Sequence, residues 1–171
     1  NLKTFGARLP RAVLAALPQA NVIQTGHPNL WARVQYEIGG VHSSWATRIR
    51  AAFRRSMPFA YERLFRDLGS LAAAEPRFRL VAPLRPFDLL SAADLLVSDW
   101  SSTTVEFSAL DRPILLFDSP ALPFADRELH AAFREACEPF TQLRELRTLA
   151  PRALAHPDAR RTGRVSQNDS Q

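Results

Sequence analysis

Four consecutive hydroxyl side chains, Ser101, Ser102, Thr103 and Thr104, interrupt an otherwise apolar stretch, "DLLVSDWSSTTVEFSALDRPILLFD", at residues 94–118. The run follows Asp99 and precedes a helical pattern, so it falls where a strand gives way to a helix. The first N–H groups of a helix have no intrahelical acceptor, and short hydroxyl side chains there either cap them or join them in holding a phosphate. Thr103 to Glu106 has the spacing of a capping box. One cap does not need four hydroxyls, yet the residues by themselves leave cap and anion grip level. A second candidate is His27, which follows the β-rich "NVIQTG" and precedes Pro28, placing an imidazole at the carboxyl end of a strand. It could meet a phosphate or merely close the strand.

Other chemistries lack their residues. Six glycines form neither a GxGxxG nor a GxxxxGK[ST] pattern, so a dinucleotide fingerprint and a P-loop are absent from the sequence. Cys137 is the single cysteine, which rules out an internal disulfide, supports no metal cage and suits a reducing compartment. No metal and no cofactor is expected. His42 is an alternative base within this chain, whereas His130 and His156 read as residues of surface helices.

The elements that must position these groups alternate. "PRAVLAAL" (10–17) is a short helix with proline in its first turn. "NVIQTG" (21–26) is a strand, and "FAYERLFRDLGSLAAA" (59–74) an amphipathic helix. "FRLVAP" (78–83) is the second strand and "PFDLLSAA" (86–93) a short helix. "DLLVSD" (94–99) is a third strand covered on both faces. A helix from about Ser102 to Leu110, a turn at Asp111-Arg112-Pro113 and a fourth strand, "PILLFD" (113–118), follow. Beyond it, 125–137 and 140–155 read as helices. This order predicts an α/β fold, a Rossmann-like doubly wound parallel sheet in a single domain over 1–171. In such sheets ligands bind outside the carboxyl ends of the strands, which is where the hydroxyl run and His27 fall.

The charge of +5 comes from 22 basic and 17 acidic residues, with arginine at 48, 50, 54, 55, 160, 161 and 164. Such a field suits anionic partners without naming one. "SSWATRIRAAFRRS" (43–56) has the pattern of a basic amphipathic helix, able to lie on an anionic membrane or to form an ordinary surface. No apolar run approaches a membrane span. Basic residues without interleaved aromatics do not make a nucleic-acid interface, so no nucleic-acid partner is expected. The start at Asn1 and the polar "SQNDSQ" ending suggest a piece of a longer protein.

Residues 93–118 resemble, without a gap, the CDP-glycerol glycerophosphotransferase family, the teichoic-acid and capsule polymerases, in their "aDvLITDYSSvxFDfaxlxrPiiFy" stretch. The Asp99-Trp100-Ser101-Ser102 core, Phe107 and Arg112-Pro113 carry the likeness, and the His27-Pro28 strand end is similar to the family's "kxHP". Trp100 stands where the family has tyrosine, Glu106 where it has aspartate. The resemblance implies the C-terminal half of a GT-B-type transferase of the bacterial cytoplasm or the inner face of its membrane. That half would bind a CDP-linked polyol donor for transfer to a polymer or lipid-linked acceptor. It implies that Ser101, Ser102 and Thr103 contact the donor diphosphate, that Asp99 and Glu106 support the turn, and that His27 meets the phosphates or protonates the leaving group. The catalytic base would stand on an N-terminal domain outside this chain, leaving the chain incomplete for turnover. A nucleotide-sugar glycosyltransferase, a UDP-sugar epimerase and a non-catalytic nucleotide-binding domain are the rival readings.

Overall fold

The computed structural model describes residues 5–25, 60–81, 86–119 and 127–160. His27, His42 and the basic stretch 43–56 lie outside the described residues.

Helix α1 spans Arg8–Ala16, with its buried residues Leu9, Pro10, Val13 and Leu14 on one side. It starts two residues before Pro10, because proline lacks only an N–H that the first turn leaves unbonded anyway. Strand β1 (Val22–Gln24) follows, then α2 (Ala60–Ala74), β2 (Phe78–Leu80), α3 (Pro86–Ser91), β3 (Leu96–Ser98), α4 (Ser102–Ser108) and β4 (Ile114–Phe117). Helix α5 (Arg127–Ala136), β5 (Glu138–Phe140), a 3-10 turn at Leu143–Glu145, α6 (Leu146–Ala155) and a second 3-10 turn at Pro157–Arg160 complete the described chain.

Among the described residues every strand pairing is parallel. β1 lies beside β2 with Val22 opposite Phe78. β4 lies between β3 and β5, with Leu96 opposite Ile114 and Leu115 opposite Glu138. Among the described residues no ladder bond joins β1 to β3, so the sheet expected as one ladder forms two hydrogen-bonded pieces. Val22 and Val97 nevertheless pack against the same buried cluster.

β4 is buried at all four positions, and its alternation divides the core. Leu115 and Phe117 pack with Leu9 and Val13 of α1, Phe140 of β5, and Leu146 and Ala150 of α6. Ile114 and Leu116 pack on the opposite face with Leu90 of α3, Phe107 of α4, and Phe133 and Ala136 of α5. Helices therefore cover both faces. A third cluster joins Ala7 and Leu14 to Leu64, Leu68 and Leu71 of α2 and to Phe78, putting α2 on the α1 side. Parallel crossovers are right-handed, so helices on opposite faces carry the strands in opposite directions. The crossover through α2 runs from β1 to β2, and those through α4 and α5 run from β3 outward to β5. This mixed α/β arrangement of short parallel strands is consistent with a Rossmann-like fold.

Two expectations change. β3 is half-buried throughout, where full coverage was expected; the fully covered strand is β4, which has a ladder partner on each side. The stretch expected to pass from one helix to the next contains β5, with Pro139 in it. Among the described residues β5 pairs with β4 alone, and such an edge position tolerates a proline that cannot donate to a ladder.

Candidate functional site

The hydroxyl run begins where β3 ends. Ser101 is the N-cap of α4, with extended backbone at φ −153° and ψ 162°, and its side chain makes no capping hydrogen bond. Its Oγ lies 3.4 Å from Ser98 Oγ. Thr103 and Glu106, which have capping-box spacing, are both inside the helix, so that box does not start α4. The cap expectation is corrected for a physical reason. Thr104, the fully buried member of the run, donates its Oγ1–H to the carbonyl of Asp99 at 2.7 Å, and its own N–H to the carbonyl of Ser101 at 3.0 Å. These two bonds fold the chain back on itself and make the turn without a side-chain cap.

Ser101 and Thr103 are half-buried, and Ser102 is exposed. Among the described residues, the backbone N–H groups of Ser102 and Thr103 and the hydroxyls of both have no hydrogen-bond partner. The turn thus offers several donors at the positive end of a short helix, an arrangement suited to an anion. Asp99 is the first residue after β3 and contributes its carbonyl to the turn, while Glu106 is exposed on α4.

Arg112 has a structural task. Its Nη1 donates to the carbonyls of Ser91 and Ala93, both at 2.7 Å, joining the end of α3 to the start of β4. The turn before it has Asp111 at φ 53°, a left-handed conformation that aspartate tolerates better than most side chains.

The strand ends also gather residues that sequence reasoning passed over. Asp118 follows β4 as Asp99 follows β3. Arg134 of α5 donates to Asp118 Oδ2 at 2.8 Å, and His130 Nε2 lies 3.4 Å from Asp118 Oδ1. The His130 ring stands edge-on to Trp100 at 4.9 Å between centroids, and Phe133 meets the same indole at 5.1 Å. Edge-to-face pairs at this separation are attractive, and here they hold the residue immediately before Ser101. The available signals were a carboxylate directly after an apolar strand and His130 four residues before Arg134 on one helix face.

No group of three or more His, Cys, Asp or Glu able to hold a metal occurs among the described residues. Nor is any described helix long and apolar enough to cross a membrane. A mostly apolar hollow of ≈ 160 Å³ is lined by Pro113, Ile114, Glu138, Arg152 and His156. It sits at the amino end of β4, away from the hydroxyl run.

Residues 73–122 match the sequence model of the family described as CDP-Glycerol:Poly(glycerophosphate) glycerophosphotransferase, a transferase family. The matched segment contains β2, α3, β3, the hydroxyl turn, α4 and β4. No curated protein and no solved structure matches the chain.

Proposed function

We propose that this chain is the donor-binding domain of a polyol-phosphate transferase, moving glycerol phosphate or a similar polyol phosphate from a CDP-linked donor to a hydroxyl of a cell-wall or capsular polymer. The observation that carries this reading is the state of the hydroxyl turn. Ser101 caps nothing, while two amides and two hydroxyls at the helix start have no partner among the described residues. A turn so built serves a ligand better than it serves its own helix. The family match over 73–122 supports a nucleotide-linked polyol phosphate as that ligand.

In this reading Ser101, Ser102 and Thr103 hold the donor diphosphate, with Asp99 shaping the turn and Glu106 supporting α4. The acceptor oxygen attacks the donor's β-phosphorus and forms a new P–O bond. The bond to the bridging oxygen breaks, and CMP leaves with the electron pair. Catalysis of this kind rests on positioning and on stabilising the charge that builds on the leaving phosphate. The amides and hydroxyls of the turn do both, and His27 is the candidate proton donor to the leaving group. The acceptor's proton passes to a base on a second, facing domain of a GT-B-type enzyme. The protein works in the cytoplasm or at the inner face of the membrane, on a polymer or lipid-linked acceptor.

Calorimetry of the chain with CDP-glycerol, CMP and UDP-GlcNAc tests this. Cytidine ligands should bind, and a Ser101→Ala, Ser102→Ala double variant should lose them while melting at the wild-type temperature. Binding of the uridine ligand alone would overturn the reading in favour of a nucleotide-sugar enzyme. Unchanged cytidine binding by the double variant would remove the hydroxyls from the site.

A further inference from the structure

Helices α1 and α6 lie side by side on one face of the sheet, where Leu9 and Val13 pack with Leu146 and Ala150. Both run against the strands. Phe5 meets the ring of Phe117, the last residue of β4, at 4.6 Å, so α1 starts at the carboxyl edge, and Arg77 ties its far end to the start of β2 through the carbonyl of Pro18. Helix α6 follows the end of β5 and finishes at His156, beside Pro113 and Ile114 at the amino edge. The two helices therefore begin at the edge that carries the hydroxyl turn.

Their outer sides are basic. Arg8 and Arg11 are exposed on α1, and Arg144 and Arg147 are exposed where the 3-10 turn runs into α6. Residues three apart share one side of a helix. Across 8–16 and 143–155 the one carboxylate is Glu145, and it already accepts the N–H groups of Thr141 and Gln142 and the Thr141 hydroxyl. Arg152, farther along α6, is paired with Glu138 at 2.8 Å. The side chains of Arg11, Arg144 and Arg147 make no hydrogen bond or ion pair among the described residues. Nor do cations near a helix start stabilise it, since they oppose the macrodipole.

The composition of the face narrows the partner. Neither helix has an aromatic residue, and Leu154, near the end of α6, is the one large apolar side chain exposed on them. A helix seated in a bilayer surface presents apolar side chains beside its basic ones, and a face for single-stranded nucleic acid presents rings for the bases. Arginines without either suit a chain that offers only its charge, and guanidinium forks match phosphate oxygens.

We infer that the α1 and α6 face binds a flexible chain of phosphates, with Arg11, Arg144 and Arg147 as its contacts. Naming that chain as the acceptor polymer rests on the donor-binding reading; the attraction itself does not. A polymer lying along this face leads toward the edge where the donor is held.

Fluorescence anisotropy of labelled inorganic polyphosphate, titrated with the 171-residue chain, tests this. The triple variant Arg11→Gln, Arg144→Gln, Arg147→Gln should bind at least about tenfold more weakly at about 50 mM salt, and the slope of log affinity against log salt should fall by about two. The variant Arg160→Gln, Arg161→Gln, Arg164→Gln removes the same charge beyond the end of α6 and should bind nearly as wild type does. Equal losses in the two variants would overturn the proposal in favour of attraction by net charge. Polyphosphate that does not bind the wild type overturns it as well, and so do phosphatidylglycerol vesicles that bind through these arginines more tightly than polyphosphate does. Modification of the unaltered protein by phenylglyoxal, read by mass spectrometry, covers a variant that fails to fold. Polyphosphate should shield Arg11, Arg144 and Arg147, and unchanged modification would sink the assignment. Calorimetry with CDP-glycerol keeps the two readings apart: if the wild type binds no cytidine ligand, the donor reading falls, and the polyphosphate comparison still judges the arginine face.

Discussion

Thr104 donates its buried hydroxyl to the main-chain carbonyl of Asp99 at 2.7 Å, spanning the turn between β3 and α4 from beneath. The bond makes Thr104 a structural member of a run whose other hydroxyls face outward or half outward. Thr104→Val keeps the shape and removes the donor, and the loss of this part-buried hydrogen bond should cost about 0.5–1.5 kcal/mol. Urea unfolding of Thr104→Val and Thr104→Ser should separate the two, with serine the milder change because it retains the hydroxyl. A valine variant as stable as wild type would show that the turn does not depend on this bond.

Ser101 should behave in the opposite way. An N-cap serine that makes its capping bond loses about 1 kcal/mol on replacement by alanine. Here the side chain makes none and has only a 3.4 Å contact to Ser98. Ser101→Ala should therefore shift stability by less than about 0.5 kcal/mol, within the range of ordinary surface changes. A loss of the full capping value in urea titration would mean that the hydroxyl does cap α4 in solution.

Arg112 joins two elements through a single nitrogen, which donates to the carbonyls of Ser91 and Ala93. Arg112→Ala frees both carbonyls at the end of α3 and should cost about 1–3 kcal/mol, at the level of hydrogen bonds to a charged donor. Amide exchange should quicken in Pro86–Ser91 before it quickens in β4. Uniform quickening across the described chain, with no bias to α3, would contradict this local role.

The succession of elements along the chain from α1 to β4 and the placement of the hydroxyl run were legible because they depend on short-range patterning. Apolar runs such as Ile114–Phe117 announce buried strands, and four hydroxyls between a strand and a helix announce a helix start. β5 was not legible. Glu138 and Pro139 both disfavour strands, and only pairing with β4 makes this segment one. The helix start near Ser102 was legible as well, but the capping-box spacing at Thr103 and Glu106 is not what sets it, since Ser101 holds the cap position and the bond from Thr104 to Asp99 closes the turn. The Asp118 and His130 pair lay beyond local reading for a related reason. The two are twelve residues apart and meet only because α5 returns across the end of β4. Nothing in the spacing of a strand end and a helical histidine foretells that return.

Glu75 gives the fold a pH dependence of known sign. The Arg77 side chain bonds its carboxylate, with Nε at 3.1 Å and Nη2 at 2.9 Å, and the Arg77 main-chain N–H adds a bond at 3.1 Å. These interactions, the side-chain bond first, hold the Glu75 carboxyl below the usual carboxylate range. The same guanidinium donates to the carbonyl of Pro18 at 2.6 Å, so the pair also ties the end of α1 to the start of β2. A carboxyl with a lowered folded pKa binds fewer protons in the native state than in the unfolded chain between the two values, so stability there rises with pH. Its contribution is complete above the unfolded pKa of about 4.3 and is lost as the pH falls through the lower folded value. The gap in melting temperature between wild type and Glu75→Gln should accordingly be constant from about pH 7 to about pH 5.5 and should narrow by about pH 3. A gap that stays unchanged to the acid end of the series would show that the carboxylate charge is not what Arg77 holds.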